Sequence, residues 1–171
     1  MTRRIALVGI VILLVASCGF KKGYKAPVSK KSATLYLPNP YSKSGLFSTE
    51  NTRYTEVFFG VSDNQGCADL YSADVPEKKL RDGYIEQQVP HNRNVFVKYL
   101  QVMNRTVCNV TGYFYTNAKV SYKVLVRPTQ YGCRLEIKAT QENGISFTVP
   151  VQQAYTDPWH GVRVCTTEAA L

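Results

Sequence analysis

The 171-residue sequence is poor in the groups that carry common chemistries, and each scarcity excludes something. Only two histidines are present, His91 and His160, and neither sits at a metal-ligand interval from a cysteine. There is no C-x-x-C, so zinc and dithiol redox chemistry lack their usual carriers. G-x-S-x-G and H-E-x-x-H are also absent, which argues against hydrolysis, and His160 in TDPWHG reads as a loop residue beside the lone Trp159. No RNP-like, zinc-finger or helix-turn-helix pattern points to nucleic acid. No apolar run is long enough to cross a bilayer: Ile5 to Ala16 falls short of the roughly 20 residues a spanning helix needs. Acidic residues are few, 12 against 21 basic, for a formal charge of +9. That balance suits an acidic partner, although solubility alone accounts for it. Internal repeats, low-complexity tracts and signs of a second domain are missing as well.

What is present begins with an export signal: Arg3 and Arg4, then the apolar stretch, then small residues where a peptidase can cut. Val15-Ala16-Ser17-Cys18 places an aliphatic residue and two small ones before a cysteine. This resembles the lipobox of bacterial lipoproteins. The resemblance covers only this segment. It implies a diacylglyceryl thioether on Cys18, cleavage before it, and an N-acyl chain on the new amino terminus, with no other cofactor. Two or more acyl chains hold a protein stably on a membrane, at roughly 0.8 kcal/mol per buried methylene. By the habit of the family it resembles, in which aspartate after the cysteine signals inner-membrane retention, Gly19 implies transfer to the outer membrane, with the domain facing the periplasm or, as a variant, the cell surface.

Residues 1–17 are thus read as the signal peptide, leaving 154 residues, a comfortable size for one core. The mature chain keeps a formal +7, because only Arg3 and Arg4 are lost. Residues 18–31 form the lipidated cysteine and a basic, flexible tether with five lysines and no acid. It reads as a solvated linker, or as a basic strip against anionic headgroups worth ~1 kcal/mol per lysine.

Residues 32–171 are expected to form one all-β domain. Eight runs, SATLYLP, RYTEVFFGVS, CADLYSA, NVFVKYLQV, VCNVTGYFYT, KVSYKVLVR, GCRLEIKA and ISFTVPV, are rich in Val, Tyr, Thr and Phe and are separated by turn residues. Only DVPEKKLRDG, residues 74–83, looks helical, with Asp74 as cap, Pro76 in the first turn and Gly83 as stop. The pattern predicts an antiparallel β-sandwich of about eight strands, or a partly open barrel.

Residues 107–150 read as a four-stranded meander. Val120, Tyr122, Val124 and Val126 alternate with polar neighbours, as do Cys133, Leu135, Ile137 and Ala139 in the next run. A turn at Pro128 to Tyr131 places Lys123 opposite Glu136, and a turn at Thr116 to Ala118 places Tyr115 opposite Lys119 and Tyr113 opposite Ser121. Asn143-Gly144 is the expected tight turn of the last hairpin. Cys67, Cys108, Cys133 and Cys165 form an even set in an exported chain, so two disulfides are expected. In the meander Cys108 and Cys133 are two strand spacings apart, about 9.6 Å. That exceeds the ~7 Å reach of a bridge. The expected pairs are therefore Cys67 with Cys108 and Cys133 with Cys165, each contributing on the order of 3 to 4 kcal/mol.

Twelve tyrosines exceed what a small core needs. On this register Tyr113 and Tyr115 point outward beside Lys119, Lys123 and Arg134, a combination favoured at interfaces and suited to acidic polymers. The other outcomes are a second sheet covering this face, or cross-strand tyrosines that stabilise an exposed one. Function is expected to be non-enzymatic: an outer-membrane lipoprotein acting as an interaction or assembly component of an envelope complex, such as a secretion apparatus, with an envelope protein as partner. The alternative is a module that binds peptidoglycan or another acidic glycan. Inhibition of lysozyme is a weaker third, since lysozymes are mostly basic and ill-matched to +7. Size, anchor and β content are similar to the sandwich lipoprotein of type VI secretion machinery, without a shared motif, which is an analogy of architecture.

Overall fold

A computed structural model describes residues 23–28, 31–40, 52–73, 80–103, 107–156 and 163–170. The signal segment, Cys18, residues 74–79 and the Trp159-His160 pair lie outside these. Among the described residues fourteen strands follow in order: β1 Ala33–Pro38, β2 Thr52–Val61, β3 Cys67–Asp69, β4 Tyr71–Ser72, β5 Leu80–Arg81, β6 Tyr84–Val89 and β7 Asn94–Met103. Then come β8 Val107–Tyr115, β9 Val120–Thr129, β10 Gly132–Gln141, β11 Ser146–Val149, β12 Gln152–Gln153, β13 Tyr155–Thr156 and β14 Arg163–Cys165, with a 3-10 turn over Thr167–Ala170. Among the described residues no helix is long and apolar enough to cross a membrane.

The strands make an open sandwich. A front sheet runs β11-β10-β9-β1-β6-β5, and a back sheet runs β12-β8-β7-β2-β4. Neighbours are antiparallel except β1 and β9, which pair in parallel. Period-2 alternation decides which side of each strand is buried. In β1, Ala33, Leu35 and Leu37 are fully buried while Thr34 and Tyr36 face outward. Facing them across the core are Val57 and Phe59 of β2, Val95 and Val97 of β7, and Phe114 of β8. Burying one such large side chain contributes roughly 1.5–3 kcal/mol, so this layer is the main source of stability.

A third layer lies behind the back sheet, where β13-β14-β3 form a small sheet. Phe96 and Tyr113, with ring centroids 5.2 Å apart, point away from the main core and are covered by Ala68, Leu70 and Val164. Gly60 allows the close approach of β3. A Cβ there would run into the Asp69 carbonyl oxygen and sit 3.1 Å from Ala68 Cβ.

Several expectations are corrected. The four-strand meander does not form: β8 belongs to the back sheet and β9 to the front, and the connection through Thr116 to Lys119 crosses between them. Lys119 takes a left-handed φ of 60° in that crossing. Buried Thr116 anchors it, with its hydroxyl 2.9 Å from both the Pro90 and Arg93 carbonyl oxygens and its N–H donating to Arg93. Tyr113 therefore faces the third layer, 7% exposed, rather than solvent. The β9–β10 turn is the two residues Gln130-Tyr131, not four, so the register moves by two and Lys123 lies opposite Lys138 instead of Glu136.

The disulfide pairing is also corrected: the bridges are Cys108–Cys133, with Cα atoms 5.4 Å apart, and Cys67–Cys165, at 4.0 Å. The expected separation assumed one sheet. Cys108 and Cys133 sit on facing sheets, and their bridge crosses the core between them. Cys67 and Cys165 are directly opposite in the small sheet.

At the described end of the expected helix, Leu80–Arg81 is instead strand β5, joined to β6 by Asp82-Gly83 with φ of 50° and 78°. Positive φ at both residues makes this a tight hairpin, the role an Asp-Gly pair suits best. The last hairpin does turn at Asn143-Gly144, as a three-residue loop with Gly144 at φ 84° and its N–H donating to Gln141. Finally, Tyr24 of the tether is docked. Its ring meets Phe59 edge-on at 4.8 Å and lies 5.6 Å from Tyr71, and its hydroxyl donates to the Gln88 carbonyl.

Candidate functional site

The outer face of the front sheet is the side of the sandwich that the small sheet leaves uncovered. Alternation sends Tyr36 of β1, Tyr84 and Glu86 of β6, Ser121, Lys123 and Arg127 of β9, and Arg134, Glu136, Lys138 and Thr140 of β10 to this side. The register then sets like against like: Lys123 faces Lys138, and Arg127 faces Arg134. Directly opposed like charges destabilise a sheet. Among the described residues one ion pair offsets this, from Arg127 Nε to Glu136 Oε2 at 3.1 Å.

Lys123 has no carboxylate partner among the described residues. Its Nζ stands 4.1 Å from the centroid of the Tyr84 ring, a cation–π contact worth ~0.5–1 kcal/mol at an exposed position. Burial pushes the Tyr84 hydroxyl above its ordinary value, against the opposing pull of Arg127. Around this pair is a shallow depression of about 390 Å³ lined by Tyr36, Arg81, Asp82, Tyr84, Ser121, Lys123 and Thr140. The arrangement places one ring-held ammonium among four hydroxyls, with a guanidinium beside it. These groups can offer positive charge and hydrogen-bond donors, with the Asp82 carboxylate at the rim as an acceptor.

A second surface is the free edge of the same sheet. Among the described residues no strand pairs with the outer side of β11. Ile145 and Phe147 there are 58% and 42% exposed, and Phe147 lines a neighbouring depression of about 460 Å³ with Lys119, Val120 and Glu142.

The five residues expected to share one face are divided. Lys123 and Arg134 are on the outer face of the front sheet. Lys119 is in the crossing between sheets, paired with Glu142 at 3.3 Å. Tyr115 is exposed at the end of β8 and shares a different depression with Tyr113, Asn94, Gln152 and Glu168. Tyr113 is buried beneath the small sheet. Sequence reasoning passed over Tyr36, Arg81, Tyr84 and Lys138. The alternation of β10 showed that Lys138 is on the polar face; no face was assigned to Tyr36. That they lie beside Lys123 follows only from the parallel β1–β9 pairing and the two-residue turn.

Away from this face, Asp63 braces the loop before β3. It accepts N–H groups from Gln65 at 2.8 Å and Cys67 at 3.0 Å, and pairs with Arg163 at 2.6 Å. Burial pushes the Asp63 carboxyl up, but these N–H groups and the guanidinium outweigh it and hold it below its ordinary 3.8. Among the described residues no group of three or more His, Cys, Asp or Glu side chains is placed to hold a metal ion. No protein-family model, no curated protein and no solved structure matches this chain.

Proposed function

We propose that this chain is a lipid-anchored, non-enzymatic interaction component of the cell envelope. Cys18 carries the diacylglyceryl and N-acyl chains, the outer membrane holds them, and the sandwich faces the periplasm. Its partner is an envelope protein of a larger assembly, a secretion apparatus being one such machine. The observation that carries this reading is the free β11 edge with Ile145 and Phe147 exposed on it. Unpaired N–H and C=O groups on an edge are a template for a partner's strand, and flanking apolar side chains add specificity. Holding the domain on a membrane raises the effective concentration of a partner confined to the same surface.

Mild in-cell crosslinking followed by mass spectrometry tests the proposal. Wild-type chain should recover one envelope protein at near-equal amounts, and both Cys18→Ala and Phe147→Lys should lose it. Recovery of nothing above background, or of muropeptides alone, would sink the assembly reading. The alternative, a module for peptidoglycan or another acidic glycan, is favoured by a separate observation, the opposed cations of β9 and β10.

A further inference from the structure

We infer that the outer face of the front sheet is a binding site for a carboxylate-bearing glycan chain, lying along β9 and β10 with one acidic sugar in the Lys123 depression. This rests on the glycan alternative above and assigns it a site. The β11 edge and its protein partner are independent of it.

Three observations lead to this assignment. First, the face carries two like-charged pairs, Lys123 with Lys138 and Arg127 with Arg134, and among the described residues Glu136 relieves only one of the four cations. Such pairs destabilise the sheet that bears them, and an anion lying between the two strands removes the penalty. Successive cations along a strand, Lys123 and Arg127, are four residues apart, about 13 Å, so the charge is spread along a line as a polymer would require. Second, Tyr84 holds the Lys123 ammonium in place without neutralising it, because a ring face attracts a cation yet leaves its charge available to an anion. Third, the rest of the face is hydroxyl-rich. Thr34, Ser121 and Thr140 join Tyr36 and Tyr84, whereas Leu125 is the outward aliphatic side chain of β9. A protein interface needs an apolar centre, which this face lacks, while a sugar needs many shallow hydrogen-bonding partners. Asp82 at the rim sets polarity: it repels a second carboxylate there and orients the acidic group toward Lys123.

The test uses the purified full chain and oligogalacturonate as probe, with the methyl-esterified oligosaccharide and anionic-lipid vesicles in parallel. Calorimetric titration should show binding to oligogalacturonate that weakens as salt is raised. The ester should bind at least about tenfold more weakly. Lys138→Glu is the decisive variant. It converts an opposed like pair into an attractive one, so the fold should gain thermal stability while affinity for oligogalacturonate falls about tenfold or more. Loss of binding with a raised Tm cannot come from unfolding. Arg134→Glu should act in the same direction. Unchanged affinity in Lys138→Glu and Arg134→Glu, equal binding of ester and acid, or no binding by wild type would each overturn the inference. Binding to the vesicles but not to the oligosaccharide would overturn it too, making the face a headgroup surface. None of these outcomes bears on crosslinking through Phe147, so the two proposals fail separately.

Discussion

Tyr24 does at the scale of one residue what the basic composition around it does not announce. Five lysines and no acid make a solvated tether, yet one aromatic ring at position 24 seats between the sheets against Phe59 and Tyr71. Its hydroxyl is pushed from the ordinary 10.0 up to about 12, first by burial and then by the nearby Tyr71. The sign of the consequence follows from linkage: the protonated form is favoured in the folded state. The contribution is therefore complete below pH 10.0 and is lost as pH rises toward about 12. Tyrosinate absorbance, followed with tryptic release of the segment, should show Tyr24 undocking in that window, and Tyr24→Ala should remove the step. Asp63 works in the opposite direction. Its carboxyl is held low, so the brace to Arg163 persists above the ordinary carboxylate range and is lost as pH falls through the depressed value. Amide exchange at Cys67 should accelerate there, and Asp63→Asn should already exchange fast at neutral pH.

Among the elements, the β9–β10 hairpin and the β2–β3 crossing are the two places where local geometry has the largest effect. A two-residue turn in place of four keeps the parity that buries Val124 and Ile137 but slides the outer face by two, which brings Lys138 to Lys123. Lys138→Glu should stabilise the fold by about 0.2–1 kcal/mol, measurable as a higher urea midpoint. Gly60 is the complementary case. Its missing side chain lets β3 pass close behind β2, so Gly60→Ala must displace β3. The expected cost is on the order of 1–3 kcal/mol, with Tyr113 gaining exposure as the small sheet lifts. Unchanged urea denaturation in Gly60→Ala would refute that close packing.

At the scale of the whole molecule, two bridges tie three layers. Cys108–Cys133 closes 25 residues and joins the sheets, and Cys67–Cys165 closes 98 and secures the small one. The chain-entropy relation gives about 3.5 kcal/mol for the first and about 4.7 kcal/mol for the second. Removing the longer loop's bridge by paired Cys→Ala replacement should therefore cost more in chemical denaturation than removing the shorter. Peptide mapping without reductant should return Cys108 joined to Cys133, and a Cys67–Cys108 peptide would contradict the two-sheet arrangement. The layers also leave the molecule asymmetric. One face of the sandwich is covered by the small sheet, while among the described residues the other is open, basic and hydroxyl-rich, with an apolar edge beside it.

The sequence by itself determined that the chain is β-built, which sides of β9 and β10 are buried, and that four cysteines would pair. Those are consequences of period-2 alternation and composition, which act within a few residues. β6 escaped because its middle inward position is Gln87, a buried polar residue that interrupts the apolar alternation, and because Asp82-Gly83 before it serves equally as a helix stop or a hairpin turn. Tertiary structure alone decided which sheet each strand joined, the disulfide partners, the burial of Tyr113 and the gathering of Tyr36 and Tyr84 beside Lys123. Each of these depends on a long-range choice, the crossing of Thr116 to Lys119 between sheets and the parallel pairing of β1 with β9. Such choices are settled by packing across the whole core, because no short stretch of chain carries the energy that separates them.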